Sequence, residues 1–261
     1  MKAIPGRVLL ALVCSLIFTG CSRHKVAIAA IPTAPLPSTS ETADASSTAR
    51  SNEQPAVGKN RVDYSDADLE ALHLSPDAKP IFVETGIASW YGPPYHNRRG
   101  SDGKIYNMNA MTAAHRTLPL GSIVRVTNLK TGHWAIVRIT DRGPFIEGRI
   151  LDLSLAAAKK TDVERAGLAQ VRMEVLEAPV AIAIGGRWAV QIGGFHQQDS
   201  ALKVVDQISR RYQSAKVSSF SSPVGDWWVR VRVLHDDRGR AQEIARDTEF
   251  DRGKIFLVRL D

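Results

Sequence analysis

The stretch NAMTAAHRTLPLGSIVRVTNLKTGHWAIVRITDRGPF (residues 109–145) contains two short apolar segments that each end at a titratable side chain. The first segment stops at His115, and the second, which has the composition of a buried strand, stops at Asp141. The sequence Arg-Gly-Pro follows directly and predicts a turn. A histidine and a carboxylate at two strand ends fit a catalytic pair, but they also fit a polar turn and a satisfied core histidine.

Short strand-like segments surround this stretch and are separated by Gly, Pro and Asn. They are TGIASWYG, SIVRVTNL, WAIVRIT, GRILDLS and QVRMEVL. One short helix, LAAAKKT, follows, and either Ser154 or Asp152 is placed to cap it; Asp152 is otherwise a turn residue. Several short strands with turn residues between them predict a small, closed, mostly β barrel.

A different pattern begins after the joint APVAIAIGG. The order of segments is strand, helix, strand, strand, helix, strand, which predicts a ferredoxin-like βαββαβ module with two helices on one face of an antiparallel sheet. In DWWVRVRVL one side of the strand is apolar and suits the core: Trp227, Val229, Val231 and Val233. The other side carries Trp228, Arg230 and Arg232, and we expect it on an open sheet face.

The first twenty residues have the pattern of a bacterial secretion signal. Lys2 and Arg7 precede the apolar run VLLALVCSLIF, which is too short to span a bilayer. The run ends in FTGC, which resembles a lipobox, so we expect a signal peptide over 1–20 and lipidation of Cys21. Residues 21–82 are rich in Ala, Ser, Thr and Pro and predict a disordered tether.

The composition restricts the chemical class of binding partner. The chain has 261 residues, a formal net charge of +7 and a pI near 9.6, which favours an acidic partner. Because an exported, lipid-anchored protein does not meet nucleic acid, we exclude nucleic acid as the partner and favour a cell-wall polymer. The seven histidines are scattered without a third donor at ligand spacing, so we expect no metal and no cofactor.

The motifs ASWYG, TAAHRTLP, DRGPF and GRILDLSLAAA are similar to the double-psi β-barrel domain of the rare lipoprotein A (RlpA) family, whose fold is shared with barwin and expansins. The resemblance covers residues 83–177. It implies an endolytic transglycosylase that cleaves peptidoglycan glycan strands, with a Glu, a His and an Asp as functional residues. His115 and Asp141 match two of them as catalytic residues, but Lys104 stands where the family has Glu.

A lytic transglycosylase needs a group that protonates the glycosidic oxygen and then removes the proton of the C6 hydroxyl, which closes a 1,6-anhydro ring. One carboxyl group suffices for both steps, so Asp141 remains adequate. Asp102 is a nearby carboxylate and a candidate to replace the missing Glu in part. The alternative is a non-catalytic, peptidoglycan-binding outer-membrane lipoprotein.

The segment WAVQIGGF resembles the start of a SPOR domain over 187–261, joined to the barrel by a linker over 178–186. This resemblance implies binding to peptide-free glycan strands at the division septum. Gln191, Trp228, Arg230 and Arg232 would supply hydrogen bonds, a stacking surface and charge for that polymer. Trp90 and Tyr91 of the barrel fit either sugar stacking or packing.

Overall fold

A computed structural model describes residues 79–248 and 253–261. Within these residues the chain forms a closed six-stranded barrel and a four-stranded sheet covered by helices. The signal peptide, Cys21 and nearly all of the tether fall outside the described residues. Among the described helices, none has the length and apolar character needed to cross a membrane.

The barrel is closed by pairing of its first and last strands. Its strands are β1 (Phe82–Trp90), β2 (Thr112–His115), β3 (Ile123–Asn128), β4 (Trp134–Asp141), β5 (Arg149–Leu153) and β6 (Ala169–Glu177), in the order β1-β5-β2-β4-β3-β6. The pairs β1/β5 and β2/β4 are parallel, and the other barrel pairs are antiparallel. The predicted closed barrel is confirmed.

Alternation along the barrel strands fills the interior. Val124 and Val126 of β3 face Val137 and Ile139 of β4 in one fully buried apolar cluster. Helices α1 (Leu155–Lys160) and α2 (Val163–Ala166) follow β5, and a 3-10 helix spans Pro93–Tyr95. The Ser154 hydroxyl accepts from the Ala157 amide at 3.2 Å, so Ser154 is the N-cap of α1 and Asp152 is not.

The second module has the predicted βαββαβ order. It consists of β7 (Trp188–Phe195), α3 (Gln198–Arg211), β8 (Lys216–Ser221), β9 (Trp227–Arg232), α4 (Arg238–Asp247) and β10 (Lys254–Arg259), with a 3-10 helix over Leu234–Asp236. The strand order is β10-β7-β9-β8, and every pair is antiparallel. This is the ferredoxin-like topology.

The two faces of this sheet are both covered. On one face, Val190 and Val229 pack with Ile208 of α3 and Ile244 of α4. On the other face, Trp228, Phe256 and Val258 form a cluster with Phe145 of the barrel and Phe220. Gln191 is 1% exposed and Trp228 is 8% exposed. The prediction of an open face is therefore wrong at the centre of the sheet, because the loop after β4 lies on it.

The segment between the modules is tied to the second one. Arg259, which is 1% exposed, donates to the carbonyls of Ala181 and Ile182, and Arg238 donates to that of Ala183. Gly186 has φ 82°, and a side chain there would meet the Arg259 guanidinium at 2.6 Å. Only glycine fits this close approach.

Candidate active site

Asp141 is aimed by an irregularity at the end of β4. Ala113 pairs with Ile139 and the next residue, Ala114, pairs with Asp141, so two residues of β4 oppose one of β2. A bulge of this kind redirects the side chains that follow it. Ile139 lies in the barrel core, whereas Asp141 is partly exposed beside Ala114.

The Asp141 carboxylate is held by three donors on one oxygen. Oδ1 accepts from the Ser101 amide at 3.0 Å, the Ser101 hydroxyl at 2.5 Å and the Arg142 amide at 2.8 Å. The loop that carries Ser101 is itself fixed to β4, because the Asp102 amide donates to the Thr140 carbonyl at 3.1 Å. These bonds set the orientation of the carboxyl plane.

The second oxygen of Asp141 shares a space with another carboxylate. A side-chain carbon at Gly100 would lie 3.7 Å from Asp141 Oδ2 and 3.4 Å from Asp102 Oδ1. Asp102 Oδ1 also accepts from the Lys104 amide at 2.9 Å. Lys104 is exposed on the same loop. The structure therefore brings Asp102 and Asp141 to one site, while Lys104 follows them at the solvent side of the turn.

A third carboxylate lies across the barrel wall. Ala114 pairs with Asp141 on one side and with Asp152 of β5 on the other, so two strand spacings, about 10 Å, separate the Cα atoms of the two aspartates. Arg149 donates to both oxygens of Asp152 at 2.7 and 2.8 Å. Burial nevertheless raises the pKa of Asp152 above its ordinary value, against the opposing charge of Arg149.

Three tyrosines pack together near these carboxylates. The Tyr91 and Tyr106 rings stack at 4.3 Å, and Tyr95 meets Tyr91 edge-on at 5.7 Å. Burial raises the pKa of Tyr91, and the charges of Asp141 and Asp152 add to the effect, so this ring lies near both acids.

Trp90 is placed differently from Tyr91. Its indole packs against the barrel core and lies under Gly92, where a side-chain carbon would approach the ring to 2.7 Å. Trp90 fitted either sugar stacking or packing in the barrel, and this contact favours packing.

His115 is satisfied at both ring nitrogens. Nδ1 accepts from the amides of Thr117 and Leu118 at 3.1 and 3.0 Å, so the ring proton resides on Nε2, which lies 3.4 Å from Glu84 Oε2. Burial lowers the pKa of His115 and outweighs the Glu84 contact, so the ring is neutral near pH 7. Within the described residues it shares no hydrogen bond or ion pair with Asp141. It holds the turn beside the acid rather than contacting it.

The residues predicted for glycan binding in the second module share one face of its sheet, but they are engaged in contacts within the protein. Gln191 accepts from Arg230 at 2.9 Å beneath the barrel loop, and Arg232 is paired with Asp236 at 2.6 and 2.9 Å. Burial and the charge of Arg232 lower the pKa of Arg230, while Asp141 opposes them. Arg230 is therefore the one of this group whose charge interacts with the barrel site.

Comparison with known proteins agrees with this geometry. Residues 83–173 match the family described as lytic transglycolase, and residues 185–247 match the SPOR domain. These two regions thus match, in the order expected from the sequence, the two domain families that the resemblance to RlpA implies.

Several proteins named RlpA match part of this chain. The endolytic peptidoglycan transglycosylase RlpA of Vibrio cholerae is 56% identical over 95 residues, which are 36% of this chain and 36% of the relative. The protein of the same name from Campylobacter jejuni is 53% identical over 91 residues, 35% of this chain and 33% of the relative. That from Helicobacter pylori strain J99 is 37% identical over 161 residues, 51% of each chain. The chain thus spans between a third and about half of the length of these curated relatives.

Sequence reasoning missed four residues of the site: Ser101, Tyr95, Tyr106 and Glu84. Ser101 lies in an irregular loop and Tyr95 ends a 3-10 helix of three residues, and neither segment has a periodicity that marks a functional side chain. Glu84 is a carboxylate on the core-facing side of β1. Because a charged group in that position needs a partner, the sequence could have indicated that Glu84 contacts another polar side chain.

Proposed function

We propose that this protein is an endolytic lytic transglycosylase that cleaves peptide-free peptidoglycan glycan strands and leaves 1,6-anhydro-MurNAc ends. The observation that supports it is the position of Asp141. The Asp141 carboxylate is fixed through Oδ1, and its Oδ2 lies on the same side of Gly100 as a carboxylate oxygen of Asp102.

In the proposed reaction Asp141 acts first as an acid and then as a base. The protonated carboxyl donates to the glycosidic oxygen, and the bond from that oxygen to C1 of MurNAc breaks. The resulting carboxylate then removes the proton of the C6 hydroxyl, whose oxygen bonds to C1 and closes the anhydro ring. Asp141 is reprotonated by this step, and no water is consumed.

Asp102 supplies the negative charge that Lys104 does not. An oxocarbenium-like centre at C1 is stabilised by a nearby carboxylate. Asp102 Oδ1 and Asp141 Oδ2 face the same space at Gly100, whereas residue 104 carries a cation. His115 contributes indirectly, through the turn that lies beside Asp141.

The cellular setting follows from the sequence and the SPOR match. We infer a lipid anchor at Cys21, a site on the periplasmic side of the outer membrane, and enrichment at the division septum through the second module. Trp228 is buried against Phe145 of the barrel, and Gln191 is buried beside Arg230. Binding of septal glycan by that face therefore requires the two modules to separate.

A second candidate function is supported by Lys104 itself. A non-catalytic lipoprotein of the same architecture would bind glycan strands and link the outer membrane to the wall. The exposed cation of Lys104 suits the lactyl carboxylates of a peptide-free strand better than it suits cleavage.

One experiment separates the two functions. The protein is incubated with amidase-treated, peptide-free peptidoglycan, and products are analysed by mass spectrometry for 1,6-anhydro-MurNAc ends. Asp141→Asn is compared with Asp206→Asn, which removes an exposed carboxylate of an α3 ion pair. Anhydro products that disappear only with Asp141→Asn support the enzyme. Retention of the glycan without products supports the binding protein.

A further inference from the structure

Arg142, next to Asp141, joins three separate parts of the fold. Its guanidinium donates to the carbonyls of His115 at 3.0 Å and Leu118 at 2.7 Å, and to the main-chain oxygen of Asp261 at 2.6 Å. Burial, with a contribution from the charge of Arg259, lowers its pKa to about 10, so it remains charged at neutral pH. A buried cation with three main-chain acceptors fixes their relative positions.

The end of β10 binds the same turn through its main chain. The Arg259 amide donates to the Arg116 carbonyl at 3.0 Å, and the Leu120 amide donates to the Asp261 oxygen at 3.2 Å. The turn that follows His115 is therefore held from one side by Arg142 and from the other by the second module.

Phe256 of β10 covers the loop after Asp141. Its ring lies 5.8 Å from that of Phe145 and beneath the Arg116 guanidinium at 5.4 Å. Arg116 in turn donates to the Pro144 carbonyl at 3.1 Å. Phe256 is only 9% exposed, and the Phe145 ring that it meets is half-buried.

We propose that the second module is a positioning element of the acid–base site: Phe256 and the main chain of β10 hold the Asp141 loop and the His115 turn in register. This inference rests on the proposed cleavage by Asp141. It assigns the docked module a role in the chemical step that is separate from glycan binding by its sheet, since a strand of one module completes the support of an acid in the other.

The physical argument concerns the loop that follows Asp141. Residues 142–148 contain no helix or strand, so their conformation depends on the contacts of Arg142, Pro144 and Phe145. Residues without such packing open locally at low free-energy cost. A displacement of the acid by about 1 Å can lower the rate of a reaction about a hundredfold.

The test compares two core truncations in the same module. Phe256→Ala removes the ring at the junction, and Ile244→Ala removes a buried side chain on the opposite face of the sheet. Amide exchange by NMR is followed at Ser101, Arg142 and Leu120. Amides of β7 report whether the module is folded, and Phe256→Tyr tests for rescue by a second aromatic ring.

We expect exchange at these three amides to rise about tenfold in Phe256→Ala and to stay at the wild-type rate in Ile244→Ala. On peptide-free glycan in solution, kcat should fall between about tenfold and a hundredfold with KM unchanged, and Phe256→Tyr should recover most of it. Equal exchange in the two alanine variants, or a change in KM alone, would overturn the positioning role. If the wild type forms no anhydro product, the proposed function fails, and exchange alone then decides the positioning role.

Discussion

The rings of Phe145 and Trp228 lie 5.3 Å apart at an interplanar angle of 49°. Phe145 follows the Asp141 turn of the barrel, and Trp228 belongs to the central part of the second sheet. This pair shields the Trp228 ring, which is the proposed stacking surface for a sugar. Docking of the modules and glycan binding by Trp228 are therefore mutually exclusive.

Phe145→Ala should expose Trp228 and strengthen glycan binding by the sheet. Loss of the ring removes an aromatic contact that contributes about 1 kcal/mol beyond its buried area, which favours separation of the modules. We expect retention on peptide-free glycan to rise about fivefold, the factor that this energy allows. Pull-down measures retention, and acrylamide quenching of tryptophan fluorescence measures exposure.

The neighbouring Ile146→Ala is the control, since Ile146 is 49% exposed and its loss uncovers little of the sheet. Greater quenching without greater retention in Phe145→Ala would show that Trp228 does not bind the glycan.

The sequence predicted local patterns better than the contacts between modules. Alternation along β9 correctly separated Val229 and Val231 from Trp228, because it depends only on the period of a strand. Alternation did not predict the partner of Trp228, since the loop that covers this ring belongs to the other module. Ser101 was missed for the same reason: the carboxylate it binds lies 40 positions away, and no local pattern reports that distance. The Asp141 site was predictable only because its turn carries a family motif.

Arg142→Lys should destabilise the protein although it conserves the charge. A lysine ammonium at the end of a flexible chain does not reproduce the planar arrangement that reaches the oxygens of His115, Leu118 and Asp261 together. Loss of one or two charged hydrogen bonds should lower the free energy of unfolding by about 2–4 kcal/mol. Urea denaturation measures this change.

Arg210→Lys is the matched control for Arg142→Lys, because Arg210 forms an exposed ion pair with Asp206 on α3. Its free energy of unfolding should stay within about 0.5 kcal/mol of the wild type. Equal stability of the two lysine variants would contradict the bridging role of Arg142.

Acidification should destabilise the fold through His115. An unfolded histidine gains its proton near pH 6.5, whereas burial lowers the pKa of His115 in the folded state. The folded state binds fewer protons below that pH, so the free energy of unfolding falls as the pH drops from 6.5 toward the folded pKa. Glu84 acts in a separate, more acidic window, because its own pKa is lowered from 4.5: burial raises it, but His115 and Arg116 outweigh burial.

His115→Asn should reduce this pH dependence. An asparagine carbonyl keeps an acceptor for the Thr117 and Leu118 amides but does not titrate. Urea denaturation at about pH 7.5 and 5.5 measures the change, and His235→Asn, at an exposed histidine, should behave like the wild type. An unchanged pH dependence in His115→Asn would assign the acid sensitivity to other groups.

Lys104→Glu should raise the rate of glycan cleavage if the lysine at this position lowers that rate. The substitution places a carboxylate on the loop whose Ser101 and Asp102 already lie at Asp141, where a positive C1 centre develops in the proposed mechanism. We expect an increase of about tenfold in kcat, measured as the rate of anhydro-end formation. Asp102→Asn in the wild-type background should lower the same rate, because it removes the carboxylate that shares the Gly100 space with Asp141.

The double variant decides which carboxylate acts. If Glu at position 104 takes over the role of Asp102, then Asp102→Asn should cost much less in the Lys104→Glu background than alone, since the two effects are coupled. Asp199→Asn on α3 controls for the loss of a surface charge. If the effects of the two substitutions on kcat are additive, residue 104 lies outside the reacting site and Asp102 is the functional substitute for the Glu. An inactive Lys104→Glu variant that still binds glycan would favour the binding protein over the enzyme, because restoring the family residue would then not restore the chemistry.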